Sequence, residues 1–152
     1  MFFRRTSARL SPDAADAVVA AIAEAERGHR GEIRVHVEAR CKGEALARAA
    51  LLFEELGMRR TAEATGVLLY VALASRKVAV FADAGVHASA EDGFWDRVVE
   101  AVAGGFRSGE PVAGLLEAVG RIGVLLRAHA PGGDVAGDEL PNTLSGDAAE
   151  AP

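Results

Sequence analysis

The sequence predicts a single α/β domain with the element order αβαββαα. Three observations carry that reading. Glu32–Glu38 alternates polar and apolar residues strictly, as a strand with two unlike faces does. Gly66–Leu73 is apolar on both faces, as a central strand must be, and Lys77–Phe81 follows after the short turn Ala74-Ser75-Arg76 as its hairpin partner. The segments flanking these strands carry apolar residues at helical spacing.

The first helix starts at Ser11-Pro12-Asp13: a capping hydroxyl, proline at the first helical position, and an acid on the positive end of the dipole. Val18, Ile22 and Ala25 continue its apolar stripe, and Gly28 with Gly31 ends it. A second helix runs from about Glu44 to Leu56 with Leu46, Ala49, Phe53 and Leu56 on one face and Gly57 as its stop. Ser89-Ala90-Glu91-Asp92 supplies a cap for the third, whose apolar face is Trp95, Val98, Val99 and Val102. Gly104-Gly105 is expected to break that helix in a sharp turn. The fourth begins near Pro111 and carries Leu115, Val119, Ile122 and Leu126 toward Pro131. Residues 1–131 then make the domain, and Gly132–Pro152, rich in Gly, Asp and Pro, reads as an acidic, mostly disordered tail with Leu140 and Leu144 as its sizeable apolar side chains.

A chain of 152 residues suits one core. Aromatic residues make up only 5% against 50% hydrophobic overall, so that core is built mainly from Ala, Val, Leu and Ile. The net charge of −5 gives no electrostatic reason to bind nucleic acid, and the pairs Arg4–Arg5 and Arg59–Arg60 read as solvated surface. Cys41 is the only cysteine, which rules out an internal disulfide. The opening Met1-Phe2-Phe3-Arg4-Arg5 places aromatics before charges, the reverse of a secretory signal. Val67–Ala74, the longest strongly apolar stretch, falls far short of the roughly 20 residues needed to span a bilayer. The expected location is the cytoplasm, without direct membrane insertion.

Near the second helix the residues take on a recognisable pattern. Phe53-x-x-Leu56-Gly57-Met58-x-x-Thr61 followed by Gly66-Val67-Leu68-Leu69-Tyr70-Val71 resembles the TPM domain, a family shared by thylakoid-lumen and bacterial proteins. The flanks agree: Gly31-Glu32-Ile33, Arg76-Lys77-Val78-Ala79-Val80, and Asp83-x-Gly85-Val86-His87. Phe94-Trp95 and Glu139-Leu140-Pro141 resemble the compact bacterial branch, and the likeness covers roughly residues 12–142. The resemblance implies a three-layer α/β/α sandwich around a mixed central sheet with a parallel crossover and an antiparallel hairpin. It also implies a choice of activities, since some members are described as acid phosphatases, others as calcium binders, and others are linked to membrane-complex assembly.

Topology adds a candidate site. If the first two strands run parallel through a helical crossover, the third returns antiparallel, so Asp83 ends where Glu32 and Gly66 begin. The Thr61–Thr65 loop and Gly85 arrive at the same edge. Two carboxylates with hydroxyls and turn carbonyls suit a hard cation such as calcium, and His87 is the nearby candidate acid/base group. The competing reading has Asp83 capping the Gly85 turn and Glu32 as a solvated strand-end charge.

Other chemistry is sparse. Cys41 is followed by Lys42-Gly43-Glu44 and not by a phosphate-binding CxxxxxR loop; no DxD pair or P-loop is present. Cys41 precedes a helix N-terminus, but a lone cysteine is usually inert. His36 lies on the polar side of the first strand, His29 in a turn and His129 at a helix end, with no pair at the i, i+4 spacing of a helical zinc site. Trp95 sits on an apolar stripe and reads as packing. The leading expectation is a TPM-domain module that binds calcium at the Glu32/Asp83 edge and works through a protein partner. The alternatives are a metal-dependent acid phosphatase using that edge on phosphomonoesters, and a pure interaction domain whose tail or helix surface docks a neighbour.

Overall fold

Ser11 accepts the N–H of Ala14 with its hydroxyl (3.1 Å) and opens α1 (Pro12–Ala25), as its side-chain chemistry requires. The computed structural model describes residues 9–60, 63–132 and 144–146, and the chain continues through β1 (Glu32–Glu38), α2 (Ala45–Glu55), a 3-10 turn (Met58–Arg60), β2 (Gly66–Ala72) and β3 (Lys77–Ala82). A short α3 (Ala84–His87), α4 (Phe94–Ser108), α5 (Pro111–His129) and β4 (Leu144–Gly146) complete it.

The sheet has the order β3-β2-β1-β4 and is mixed. β1 lies parallel to β2, from Glu32 opposite Gly66 to Glu38 opposite Ala72, while β3 returns antiparallel. On one face Ile33, Val35, Val37, Val67, Leu69 and Val71 pack against Val18 and Ile22 of α1, Val98 and Val102 of α4, and Leu115, Val119 and Ile122 of α5. On the other, Leu68, Tyr70, Ala72 and Ala79 meet Ala49, Leu52, Phe53 and Met58 on and after α2. Helices thus cover both faces, and the fold is the expected α/β/α sandwich. Every residue of β2 is buried, which explains its two apolar faces; each large side chain there contributes about 1.5–3 kcal/mol of burial.

Two local expectations are corrected. Gly104-Gly105 does not break a helix: α4 runs through both and stops at Gly109, which takes the left-handed conformation. A Cβ on Gly105 would stand 2.7 Å from the carbonyl of Glu110 and 3.0 Å from Gly114 Cα, so these glycines let α4 and α5 cross in close contact. That packing outweighs the roughly 1 kcal/mol that glycine costs in a helix. Ser89–Asp92 does not cap α4, whose N-cap is Gly93; the Ser89 hydroxyl instead donates to the Val86 carbonyl (2.7 Å) and closes α3. Beyond the elements expected from the sequence, Leu144–Gly146 forms a strand parallel to β1, and Leu144 packs against the larger core. Among the described residues no helix is long and apolar enough to cross a membrane.

Candidate functional site

Because β1 and β2 start at the rim where β3 ends, Glu32, Gly66 and Asp83 form one row: Glu32 pairs with Gly66, and the Asp83 N–H donates to the Gly66 carbonyl (2.9 Å). Strand alternation puts Glu32 in phase with Arg34 and His36, and Asp83 in phase with Ala79 and Phe81, which pack on the α2 side. Both carboxylates therefore belong to the α2 face, their Cα atoms roughly 10 Å apart across two strand spacings. Glu32 is 5% and Asp83 6% exposed. The loop before β2 joins them. The buried Thr65 accepts the Glu32 N–H at its carbonyl (3.2 Å), and Gly85 donates its N–H to Ala64 (3.1 Å). A Cβ on Gly85 would lie 2.7 Å from the Glu63 carbonyl and 2.8 Å from that of Ala64, so this close approach requires glycine.

The rim thus gathers Glu32, Asp83, Thr65 and Gly85; Thr61 lies outside the described residues. Asp83 Oδ1 accepts from the Ala84 N–H (2.8 Å), capping α3, and from Arg59 Nη1 (3.3 Å). Arg59 is half exposed, also pairs with Glu54, and lies 5.5 Å over the Phe53 ring. The exposed His87 does not join the carboxylates. It lines a groove of about 460 Å³ along the outer edge of β3 with Val80, Ala82, Trp95 and Asp96.

At the opposite end of β1 a second polar group has formed on the same face. Glu38 accepts from Arg48 through two contacts, one of them Nε to Oε2 at 3.1 Å, and from the Tyr70 hydroxyl (2.7 Å). The Arg48 hydrogen bond leads in holding the Glu38 carboxyl down at about 2, and burial leads in raising the Tyr70 phenol. His36 places Nε2 3.4 Å from Glu38 Oε1 and Nδ1 2.9 Å from Ser145 Oγ, while Arg34 Nε lies 3.5 Å from that oxygen. Burial lowers the affinity of both His36 and Arg34 for their protons. With Glu38 ionised, the consistent tautomer has Nε2–H donating to Glu38 and Nδ1 accepting the Ser145 hydroxyl. An open groove of about 920 Å³ borders this group, lined by His36, Glu38, Ala47, Arg48, Leu51 and Gly146 among others.

The family model of the TPM domain matches residues 5–125. The chain belongs to the TPM domain family. Its fold is similar to the NMR structure of the BA42 protein from the psychrophilic bacterium Bizionia argentinensis, at a TM-score of 0.80 and 34% identity, over 90% of this chain and 94% of that one. No curated protein matches the chain.

Within this TPM domain, the remaining candidates fall in structural places. Cys41 is buried with its thiol against the Gly43 carbonyl (3.5 Å). Trp95 packs edge-on to Phe94 at 4.7 Å and against the larger core. His29 is buried; its Nδ1 accepts the Gly31 N–H (3.0 Å), so Nε2–H donates to the Ala25 carbonyl (2.5 Å). Sequence reasoning passed over Glu38, Arg48, Tyr70 and Ser145. The alternation of His36 and Glu38 on one strand already put those two on one face, but Ser145 is 109 residues from His36, and only strand pairing joins them.

Proposed function

We propose that this TPM domain binds a divalent cation, calcium, at the rim of Glu32 and Asp83, and acts through a protein partner. The observation that supports it is a row of two buried carboxylates on either side of Gly66, on one face of the sheet, with the carbonyl-bearing 63–65 turn and Gly85 at the same sheet edge. Carboxylate and carbonyl oxygens are the donors a hard cation selects. Among the described residues no three His, Cys, Asp or Glu side chains converge as a ligand set, so carbonyl oxygens and water would complete the shell. Arg59 holds the place of a counter-charge on Asp83, and a bound cation displaces that half-exposed side chain. Calcium titration followed by amide chemical shifts tests the proposal. Saturable shifts at Glu32, Thr65 and Asp83–Gly85 are expected, and flat titrations there at millimolar calcium sink it. Hydrolysis of a generic phosphomonoester that vanishes with chelator and in Asp83→Ala would replace binding by phosphatase chemistry at the same rim.

A further inference from the structure

We propose that Ser145, His36 and Glu38 form a nucleophile–base–acid relay that hydrolyses carboxylic esters at the edge of the groove beside α2, which His36, Glu38 and Gly146 line. This site is distinct from the cation rim: His36 stands four positions along β1 from Glu32, roughly 13 Å along the strand. The order of contacts is that of an activated serine. Ser145 Oγ lies 2.9 Å from His36 Nδ1, and His36 Nε2 lies 3.4 Å from Glu38 Oε1. Glu38 is itself fixed by the Tyr70 hydroxyl and Arg48, so the group that orients the imidazole does not move. Burial keeps His36 neutral and ready to take a proton, and Glu38 faces the imidazolium that forms. The elements around His36 bring Glu38 and Arg34 from β1, Tyr70 from β2, Arg48 from α2 and Ser145 from β4.

Arg34 supplies what a hydrogen-bonded serine alone lacks. Its residue is 5% exposed, and no carboxylate among the described residues pairs with it. Its Nε stands 3.5 Å from Ser145 Oγ, next to the place where negative charge develops when that oxygen attacks a carbonyl. The groove walls at Ala47 and Leu51 are apolar and suit a short acyl chain.

The chemistry balances without a further co-reactant. Ser145 Oγ bonds to the ester carbonyl carbon as its proton passes to His36 Nδ1. The tetrahedral intermediate collapses, the bond to the alcohol oxygen breaks, and the alcohol leaves with that proton. Water then attacks the acyl-serine, giving a proton to His36; the serine ester bond breaks, Ser145 regains the proton, and a carboxylic acid departs.

Two measurements on the full chain decide it. A fluorophosphonate probe is expected to add once, at Ser145, by intact-mass and peptide analysis, with P–F breaking as Ser O–P forms. Turnover of p-nitrophenyl butyrate is expected to fall at least about 100-fold in Ser145→Ala and in His36→Gln, the loss typical of removing a nucleophile or its general base. Ser145 is half-buried on a three-residue edge strand, so Ser145→Ala should keep the wild-type amide spectrum. Failure of the wild-type chain to label at Ser145, or turnover that survives Ser145→Ala, overturns the relay and leaves Ser145 as a tether for β4.

Discussion

Arg59 and Glu38 are the two residues whose charges govern the ends of the α2 face. Arg59 competes with any cation for Asp83, so Arg59→Ala should tighten calcium binding a fewfold at low ionic strength, with the gain shrinking in salt; calorimetric titration at two salt concentrations checks this. Glu38 accepts from Tyr70 and Arg48, and Glu38→Gln leaves both without their anionic partner. A loss of about 1–3 kcal/mol in urea unfolding is expected. The pH dependence has a defined sign. Burial lowers the pKa of His29 and His36 in the folded chain below the ordinary 6.5, so between those values the unfolded chain binds more protons. Their contribution is present above about pH 6.5 and is lost as pH falls through the folded values. Glu38 adds to the loss at lower pH, from about 4.5 toward about 2. Unfolding midpoints should therefore decline from neutral pH to pH 5, and less steeply in a folded His29→Gln variant. Residue types at these positions were legible, but not their partners: His36 and Glu38 share a strand face by alternation, whereas Arg48 and Ser145 reach them from other elements.

The elements themselves show where local pattern and packing agree. The bounds of β1 and the start of β2 follow directly from alternation and from Gly66, because a strand's two faces are written in adjacent residues. The Gly104-Gly105 pair differs for the opposite reason: backbone entropy argues for a turn, and only the neighbouring helix shows why glycine stands at position 105. This makes an opposed pair of substitutions informative. Gly105→Ala should destabilise by about 1–3 kcal/mol, since its methyl would overlap the Glu110 carbonyl and Gly114. Gly120→Ala, on the open side of α5 with nothing within 4 Å, should stabilise by about 0.5–1 kcal/mol. Thermal or urea unfolding of both variants is the check, and equal signs would contradict the close α4–α5 contact.

Across the whole molecule, stability should grade outward from β2. That strand is hydrogen-bonded on both sides and buried along its length, while β3 and β4 are edges. Native-state hydrogen exchange should accordingly find the slowest amides at Val67–Ala72 and much faster ones at Leu144–Gly146. By itself the sequence determined the family, the α/β class, the hairpin and the shared rim of Glu32 and Asp83, because periodicity, glycine stops and strand direction are properties of neighbouring residues. It did not determine that Leu144–Gly146 would add a strand, that α4 would run through two glycines, or that Ser145 would stand against His36. Those outcomes depend on contacts between distant segments, whose free energies exist only once the sheet has assembled and placed them side by side.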